Sequence, residues 1–212
     1  MELEDIFKDY KQIFSLMQPY RAAVGIIKAK LESIDDELKC ENEHSPIHNI
    51  QSRIKSPDSI LEKLSRKHLD LTLEGMGELN DIAGVRVVCH YINDVHFIAQ
   101  LLVLHDDITL IKQSNYIQYP KDNGYRSLHL IVAVTVHLKD GEVIVPVEIQ
   151  IRTIAMDMWA SLEHELRYKT DHNVPEQVCQ RLILCADLIA HTDEEMQKIY
   201  QEMNTSFVLD DE

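Results

Sequence analysis

Glycine is scarce in this chain, six residues of 212, and the scarcity excludes one common way of holding phosphate. There is no G-x-x-x-x-G-K-S/T string, and Gly75-Met76-Gly77 stands alone, outside the strand-and-helix setting of a dinucleotide fingerprint. Proline is equally sparse, and no Gly/Ser linker, internal repeat or low-complexity stretch divides the chain. Cysteine is limited to Cys40, Cys89, Cys179 and Cys185 with no C-x-x-C pair, which excludes a zinc site or disulfide frame of ordinary spacing. The apolar neighbours of most of them predict buried, reduced thiols. No apolar run approaches the roughly 18 residues that would span a bilayer. Met1-Glu2-Leu3-Glu4-Asp5 has neither a basic start nor an apolar stretch. A soluble, cytoplasmic protein with no membrane partner is expected. His164-Glu165 is followed by Tyr168 where H-E-x-x-H needs its second histidine, so a zinc peptidase is excluded. Net charge is -15, which argues against nonspecific binding to duplex DNA, because that rests on phosphate neutralisation by Lys and Arg.

What is present is enough apolar residue, 45% of the chain, to bury one sizeable core and carry helical extensions. The first 40 residues read as helix, with Tyr20, Val24, Ile27, Leu31, Ile34 and Leu38 alternating at four and three. The same spacing recurs in Val178, Leu182, Cys185, Ile189, Thr192, Met196, Ile199 and Met203. Stripes of this kind pack against another helix, within the chain or across subunits. Between them, Ser56-Pro57 predicts an N-cap with Pro at the first helical position, opening a helix to about His68. Gly84 to Tyr91 predicts a buried strand, Asn93 to His105 a helix, Ile108 to Lys112 a strand, and Thr153 a cap for a helix to Tyr168. The order implies an α+β (α/β-like) fold with a central mixed β-sheet flanked by helices.

Two strands joined by Lys139-Asp140-Gly141 hold the most information. Pairing them about Asp140-Gly141, a favoured two-residue turn, sets Leu130, Val132, Val134 and Val136 opposite Ile151, Ile149, Val147 and Val145. One face is then core. The other carries Ser127, His129, Ile131, Ala133 and Thr135 on the first strand and Glu148, Gln150 and Arg152 on the second, since side chains alternate along a strand. In this register His129 faces Arg152, and Glu148 faces the small Ala133, a carboxylate beside a gap. Pro146 must sit at an edge or a non-bonded position.

Charge is uneven. Residues 187 to 212 carry net -7, whereas residues 50 to 67 carry net +3 in Arg53, Lys55, Lys63, Arg66 and Lys67 against Asp58 and Glu62. Arg53 and Lys55 share one side of an extended segment, and Ser59, Lys63, Arg66 and Lys67 recur on one helix face, a geometry able to hold a triphosphate without a glycine loop. Asp81 stands at a strand entrance, and with Glu148 it could bind Mg²⁺ together with phosphate oxygens.

The strings Arg53-Ile-Lys55-x-x-x-Ser59-x-x-x-Lys63-x-x-Arg66, Asp81-Ile-Ala-Gly-Val-Arg86, Asn123-Gly-Tyr125-Arg-Ser-Leu-His129 and Val147-Glu148-Ile-Gln150-Ile-Arg152-Thr153 closely resemble the synthetase domain of the RelA/SpoT-homologue family. The likeness continues through Ala155-Met156-Asp157-Met158-Trp159-Ala160-Ser161-Leu162-Glu163-His164. The resemblance implies a nucleotidyltransferase-like synthetase domain over 45–170, an N-terminal helical extension over 1–44, and a C-terminal helix with an acidic tail over 171–212 that serves oligomerisation, as in a small alarmone synthetase. It implies transfer of pyrophosphate from ATP to the 3'-hydroxyl of GDP or GTP. Arg53 and Arg86 would sandwich adenine; Lys55, Ser59, Lys63 and Arg66 would hold the ATP phosphates. Asp81 and Glu148 would bind Mg²⁺, with Glu148 also the general base. Tyr125 would stack on guanine, with Lys121, His129 and Gln150 near the acceptor. A homotetramer is implied as well. Ser114-Asn115 departs from the Lys-Asp pair that many relatives carry before Tyr-Ile. A second reading is a catalytically silent relative that binds guanine nucleotides or single-stranded RNA.

Overall fold

Aliphatic residues at every second position of β4 (Leu128–Leu138) and β5 (Gly141–Thr153) commit one face of this hairpin to the interior, and the remaining elements are arranged around it. The structure is a computed structural model that describes residues 3–7, 9–42, 44–169 and 174–209. In chain order the other elements are α1 (Leu3–Ile6), α2 (Tyr10–Asn42), β1 (Ile47–Ile54), α3 (Pro57–Arg66), α4 (Leu73–Gly77), β2 (Ala83–Cys89), α5 (Ile92–Val103), β3 (Ile108–Asn115), α6 (Ile154–Lys169) and α7 (Glu176–Leu209). The sheet runs β1-β2-β5-β4-β3, antiparallel except for the parallel β2–β5 pair. It is the expected mixed sheet of an α+β fold.

The interior face carries Val85 and Val87 of β2, Leu130, Val132 and Val134 of β4, and Val147, Ile149 and Ile151 of β5. Helices α2 and α5 cover it with Val24, Ile27, Leu31, Ile98 and Leu102, all buried. The first apolar stripe is therefore spent on the chain's own core. Each such side chain removed from water contributes about 1.5–3 kcal/mol. A smaller second core, Met17, Ile60, Leu64, Met76, Leu79 and Ile82, seats α3 and α4 beside the start of β2. The cap prediction for α3 holds: Ser56 accepts a hydrogen bond from the Ser59 amide at 3.3 Å. The helix ends at Arg66 rather than His68, which turns into the left-handed region at φ 56°.

The hairpin register differs from expectation by two residues. Lys139-Asp140 form the turn, Gly141 follows at φ 131°, and Leu138 pairs with Gly141. Leu130 thus faces Ile149, His129 faces Gln150, and Glu148 faces Ile131 instead of a gap at Ala133. A slip of two preserves which face each side chain occupies, so the partition survived the error. Pro146 opposes Ala133 one residue before β2 joins β5 at Val147, an edge-like position that spares its missing donor. Ser127 is not on the open face; it is buried and donates to the Ile151 carbonyl at 3.1 Å.

Thr153 caps α6 as expected, accepting from the Met156 amide at 3.2 Å, and its hydroxyl also donates to Asp193 of α7. The second stripe is reoriented. On α7 the buried positions are Ala186, Asp193 and Gln197, whereas Cys185, Thr192, Met196, Ile199 and Met203 are exposed. Helix α6 also presents Ile154, Met158, Leu162 and Leu166 outward at intervals of four. The thiol expectation also needs correction: all four cysteines are free, but Cys40 and Cys185 are exposed on outward helix faces and only Cys89 is buried. The edge strand β3 bulges between Leu110 and Lys112. Asp210, Asp211 and Glu212 of the acidic tail lie outside the described residues. Among the described residues no helix is long and apolar enough to cross a membrane.

Candidate active site

The open face of the sheet assembles the chemistry, because each strand contributes the side chains opposite its core set. Cross-strand pairing sets Gln51 of β1 against Arg86 of β2, Arg86 against Gln150 of β5, Gln150 against His129 of β4 and His129 against Ser114 of β3. A cleft of about 310 Å³ opens on this face, lined by Arg53, Asp81, Gly84, Arg86, Glu148 and Gln150 among others.

One side of the cleft is cationic. From α3, Lys63 forms an ion pair with Asp81 Oδ2, whereas the Ser59 hydroxyl accepts from Ser56 at 2.9 Å and does not line the cleft. Lys55, just after β1, reaches the same oxygen at 3.2 Å. Burial acts to raise the Asp81 pKa, but Lys63 and Lys55 outweigh it and hold the carboxyl below its usual range. Asp81 Oδ1 is buried with no hydrogen-bond partner among the described residues. Arg53, opposite Gly84, stands exposed on the cleft rim, which Arg86 also lines. Arg66 is exposed on the last turn of α3 and does not line the cleft; it is the predicted site residue least integrated with the others.

The other side is a polar network. Tyr125 Oη lies 2.8 Å from His129 Nε2, and His129 Nδ1 lies 3.6 Å from Glu148 Oε1. Gln150 donates to Glu148 Oε2 at 2.9 Å and accepts from Arg152 at 3.1 Å. Lys121 Nζ sits 4.6 Å from the Tyr116 ring centroid and 4.9 Å from that of Tyr125, within cation–π reach of both. Burial raises the Tyr125 hydroxyl pKa, with the Arg152 charge opposing. Burial also pushes Glu148 up, yet hydrogen bonding and charge from His129, then Gln150, leave it below its ordinary value. Glu148 is therefore ionised at neutral pH.

The loop that presents Tyr125 is held from behind. Asn123 accepts from the Tyr125 amide at 3.2 Å and donates to Glu163 of α6 at 3.1 Å. Gly124, at φ 89°, packs so closely on α7 that an added Cβ would lie 2.7 Å from the Ala186 Cβ. Arg126 bonds Asp187 of α7 at 2.9 Å.

Arg152 and Asp157 carry more of this site than their sequence reveals. Arg152 was expected opposite His129 on an open face; it is instead 1% exposed, with its guanidinium 5.8 Å from the Tyr125 ring centroid. Asp157 Oδ1 lies 3.4 Å from both Arg152 Nε and Arg86 Nη1. The period of two from Glu148 through Gln150 to Arg152 was the available signal for Arg152. Asp157 had none, since its placement depends on how α6 leaves the sheet. Asn115 takes a structural part, accepting from the amides of Ile117 and Gln118 at 3.1 Å each and so closing the turn after β3.

The Asp81 charge reaches Glu148, and the buried Asp81 Oδ1, unpaired among the described residues, is a hard oxygen donor that suits a hard cation, the Lys55 and Lys63 charges on Oδ2 opposing it. Among the described residues no group of three or more His, Cys, Asp or Glu is arranged around a metal position. Two carboxylates leave most of a coordination sphere to phosphate oxygens and water, which is the habit of Mg²⁺.

The five-stranded mixed sheet, its helical cover and this polar face are those of an α+β synthetase fold. The crystal structure of small alarmone synthetase 1 from Bacillus subtilis bound to its product pppGpp superposes with a TM-score of 0.84 at 41% identity, over 91% of this chain and 98% of that one. A GTP pyrophosphokinase family protein from Streptococcus pneumoniae superposes at 0.82 with 36% identity, over 92% and 96%. The family model described as "Region found in RelA / SpoT proteins" matches residues 52–173, and the chain belongs to that family. Among curated relatives, the GTP pyrophosphokinases YwaC and YjbM of Bacillus subtilis (strain 168) are each 40% identical. The first match covers 96% of both chains and the second 92% of both.

Proposed function

We propose that this chain is a cytoplasmic pyrophosphokinase that makes guanosine tetra- or pentaphosphate, the alarmone of the stringent response, from ATP and GDP or GTP. The observation that carries the reading is the junction of the two halves of the cleft. An ionised Glu148, oriented by His129 and Gln150, lies beside an Asp81 already surrounded by lysines. In the reaction the guanosine 3'-oxygen attacks the β-phosphorus of ATP, the α–β bridge breaks, and AMP leaves with the bridging oxygen. Glu148 accepts the 3'-hydroxyl proton, directly or through one water. Lys55, Ser59, Lys63 and Arg66 bind the triphosphate, and Arg53 and Arg86 enclose adenine with flat guanidinium groups that lysine lacks. Tyr125 stacks on guanine, with Lys121, His129 and Gln150 around the acceptor. Asp81 and Glu148 would hold Mg²⁺, which when bound supplies positive charge against the phosphates. Between two polyanions, positioning and charge neutralisation are the main demands on the protein.

The experiment is incubation with ATP and GDP, or ATP and GTP, with and without Mg²⁺, followed by nucleotide chromatography. Equal formation of AMP and the 3'-pyrophosphorylated guanosine nucleotide, dependent on Mg²⁺, is expected. Binding of guanine nucleotide without turnover would favour a silent regulator instead. We also propose a homotetramer. Its support is the outward stripe of Leu184, Leu188, Met196, Ile199 and Met203 on α7, exposed among the described residues. Light scattering giving a monomer at micromolar concentration would overturn it.

A further inference from the structure

Asp157 occupies an unusual position between the two halves of the cleft. Its Oδ1 is 3.4 Å from Arg86 on the donor side and 3.4 Å from Arg152 on the acceptor side. Charge-assisted hydrogen bonds normally close to about 2.7–2.9 Å. Here neither contact has closed: Asp157 Oδ1 and Arg152 Nε are both buried without a hydrogen bond among the described residues. One carboxylate oxygen is thus held midway between two guanidinium groups, and a small turn of the carboxylate toward either one shortens that contact at the expense of the other. The two cations differ in freedom. Arg152 is 2% exposed in its side chain and tied to Gln150, while Arg86 is 37% exposed and free to swing into the cleft. Asp157 itself rides on the first turn of α6, whose cap Thr153 is bonded to Asp193 of α7.

We propose that Asp157 is a positioning residue that couples the two nucleotide sites. The inference rests on the assignment of Arg86 to adenine and Tyr125 to guanine. When adenine draws Arg86 onto its ring, the shared carboxylate turns fully to Arg152. Arg152 is then fixed beneath Tyr125 and against Gln150, the residue that orients Glu148. A bound donor therefore raises affinity for the acceptor, and by thermodynamic reciprocity a bound acceptor raises affinity for the donor by the same factor. The element with two arrangements that such coupling requires is the Asp157 carboxylate.

The test titrates GDP into the full chain with and without saturating Mg²⁺ and α,β-methylene-ATP, whose α–β bridge cannot be cleaved. The wild-type protein is expected to bind GDP about fivefold or more tightly in the presence of the analogue, within the usual range of coupling between sites. In Asp157→Asn the ratio falls to about one, and in Asp157→Glu, which keeps the charge, much of it returns. Should Asp157→Asn fail to fold because Arg152 loses its buried counter-ion, Arg86→Gln provides the same reading from the half-exposed side, again with a ratio near one at saturating analogue. A ratio of one in the wild type, or an undiminished ratio in Asp157→Asn or Arg86→Gln, overturns the coupling. A wild-type chain that makes no product from ATP and GDP overturns the functional assignment and the coupling together, so the two failures are distinguishable.

Discussion

On the proposed assignment, the donor and acceptor halves of the cleft solve the same problem, positioning a polyanion, in opposite ways. On the donor half, cations wait on a carboxylate: Lys55 and Lys63 share Asp81, and Arg53 stands free on the rim. On the acceptor half, Tyr125 bonds His129, Glu148 bonds Gln150 and Gln150 bonds Arg152, with His129 Nδ1 facing Glu148 at 3.6 Å. On that assignment the first arrangement would be rebuilt by an arriving phosphate, whereas the second is already in place. Preorganisation therefore sits where a proton must be removed, and adaptability where charge must be neutralised.

The difference can be broken most sharply at Glu148. Glu148→Gln deletes the proton acceptor and keeps the cradle, so turnover should fall by about 10²–10⁴-fold. ATP binding by calorimetry should change little. A variant that keeps its turnover would remove Glu148 from the chemistry. Tyr125→Ala acts on one half alone. Loss of base stacking worth about 1–3 kcal/mol should raise the acceptor KM roughly 5- to 150-fold and leave the ATP KM near its starting value. An ATP effect of equal size would erase the distinction between the halves.

A smaller effect is expected behind the acceptor wall. Gly124→Ala places a methyl 2.7 Å from Ala186 at φ 89°, and the strain should cost about 1–3 kcal/mol in urea unfolding. Ala186→Gly in the same chain should restore part of it, because the two sites touch. The smallest effect is at Asp193. Burial raises its pKa above the ordinary 3.8, with the Thr153 hydroxyl opposing. A raised folded-state pKa gives a contribution present in full below the unfolded value and lost as pH rises through the folded one. Asp193→Asn, neutral throughout, should therefore be as stable as wild type or more so at pH 7, with its advantage shrinking toward pH 4. Urea midpoints at the two pH values decide it.

What could be read from the residue order follows from the range of each interaction. The open face of β4 and β5 was legible because alternation is local, and Glu148, Gln150 and His129 do lie together on it. Register was not, because the choice between Lys139-Asp140 and Asp140-Gly141 as the turn changes no side chain's face. The caps Ser56 and Thr153 were legible as local hydrogen-bond chemistry. Helix α4 was missed because five residues carry no period. The stripe of α7 was legible as apolar but not in direction: its buried face carries Ala186 against the Tyr125 loop, Asp193 against Thr153 and Gln197 against the Asn93 amide of α5, a mostly polar series that no hydrophobic pattern selects. Asp157 stayed hidden for the same reason, since its meaning arises only where β5 hands over to α6.

The bulge at Leu110–Lys112 has a consequence for how copies of this chain can meet. A regular outer strand offers its unpaired amides and carbonyls to any similar strand and invites open-ended growth. Here the outermost ladder is interrupted and its next residue is an exposed lysine, so ribbon-to-ribbon stacking at that rim is discouraged. Closed association through helices is left as the easier route, which keeps the nucleotide-bearing surface clear of runaway polymer.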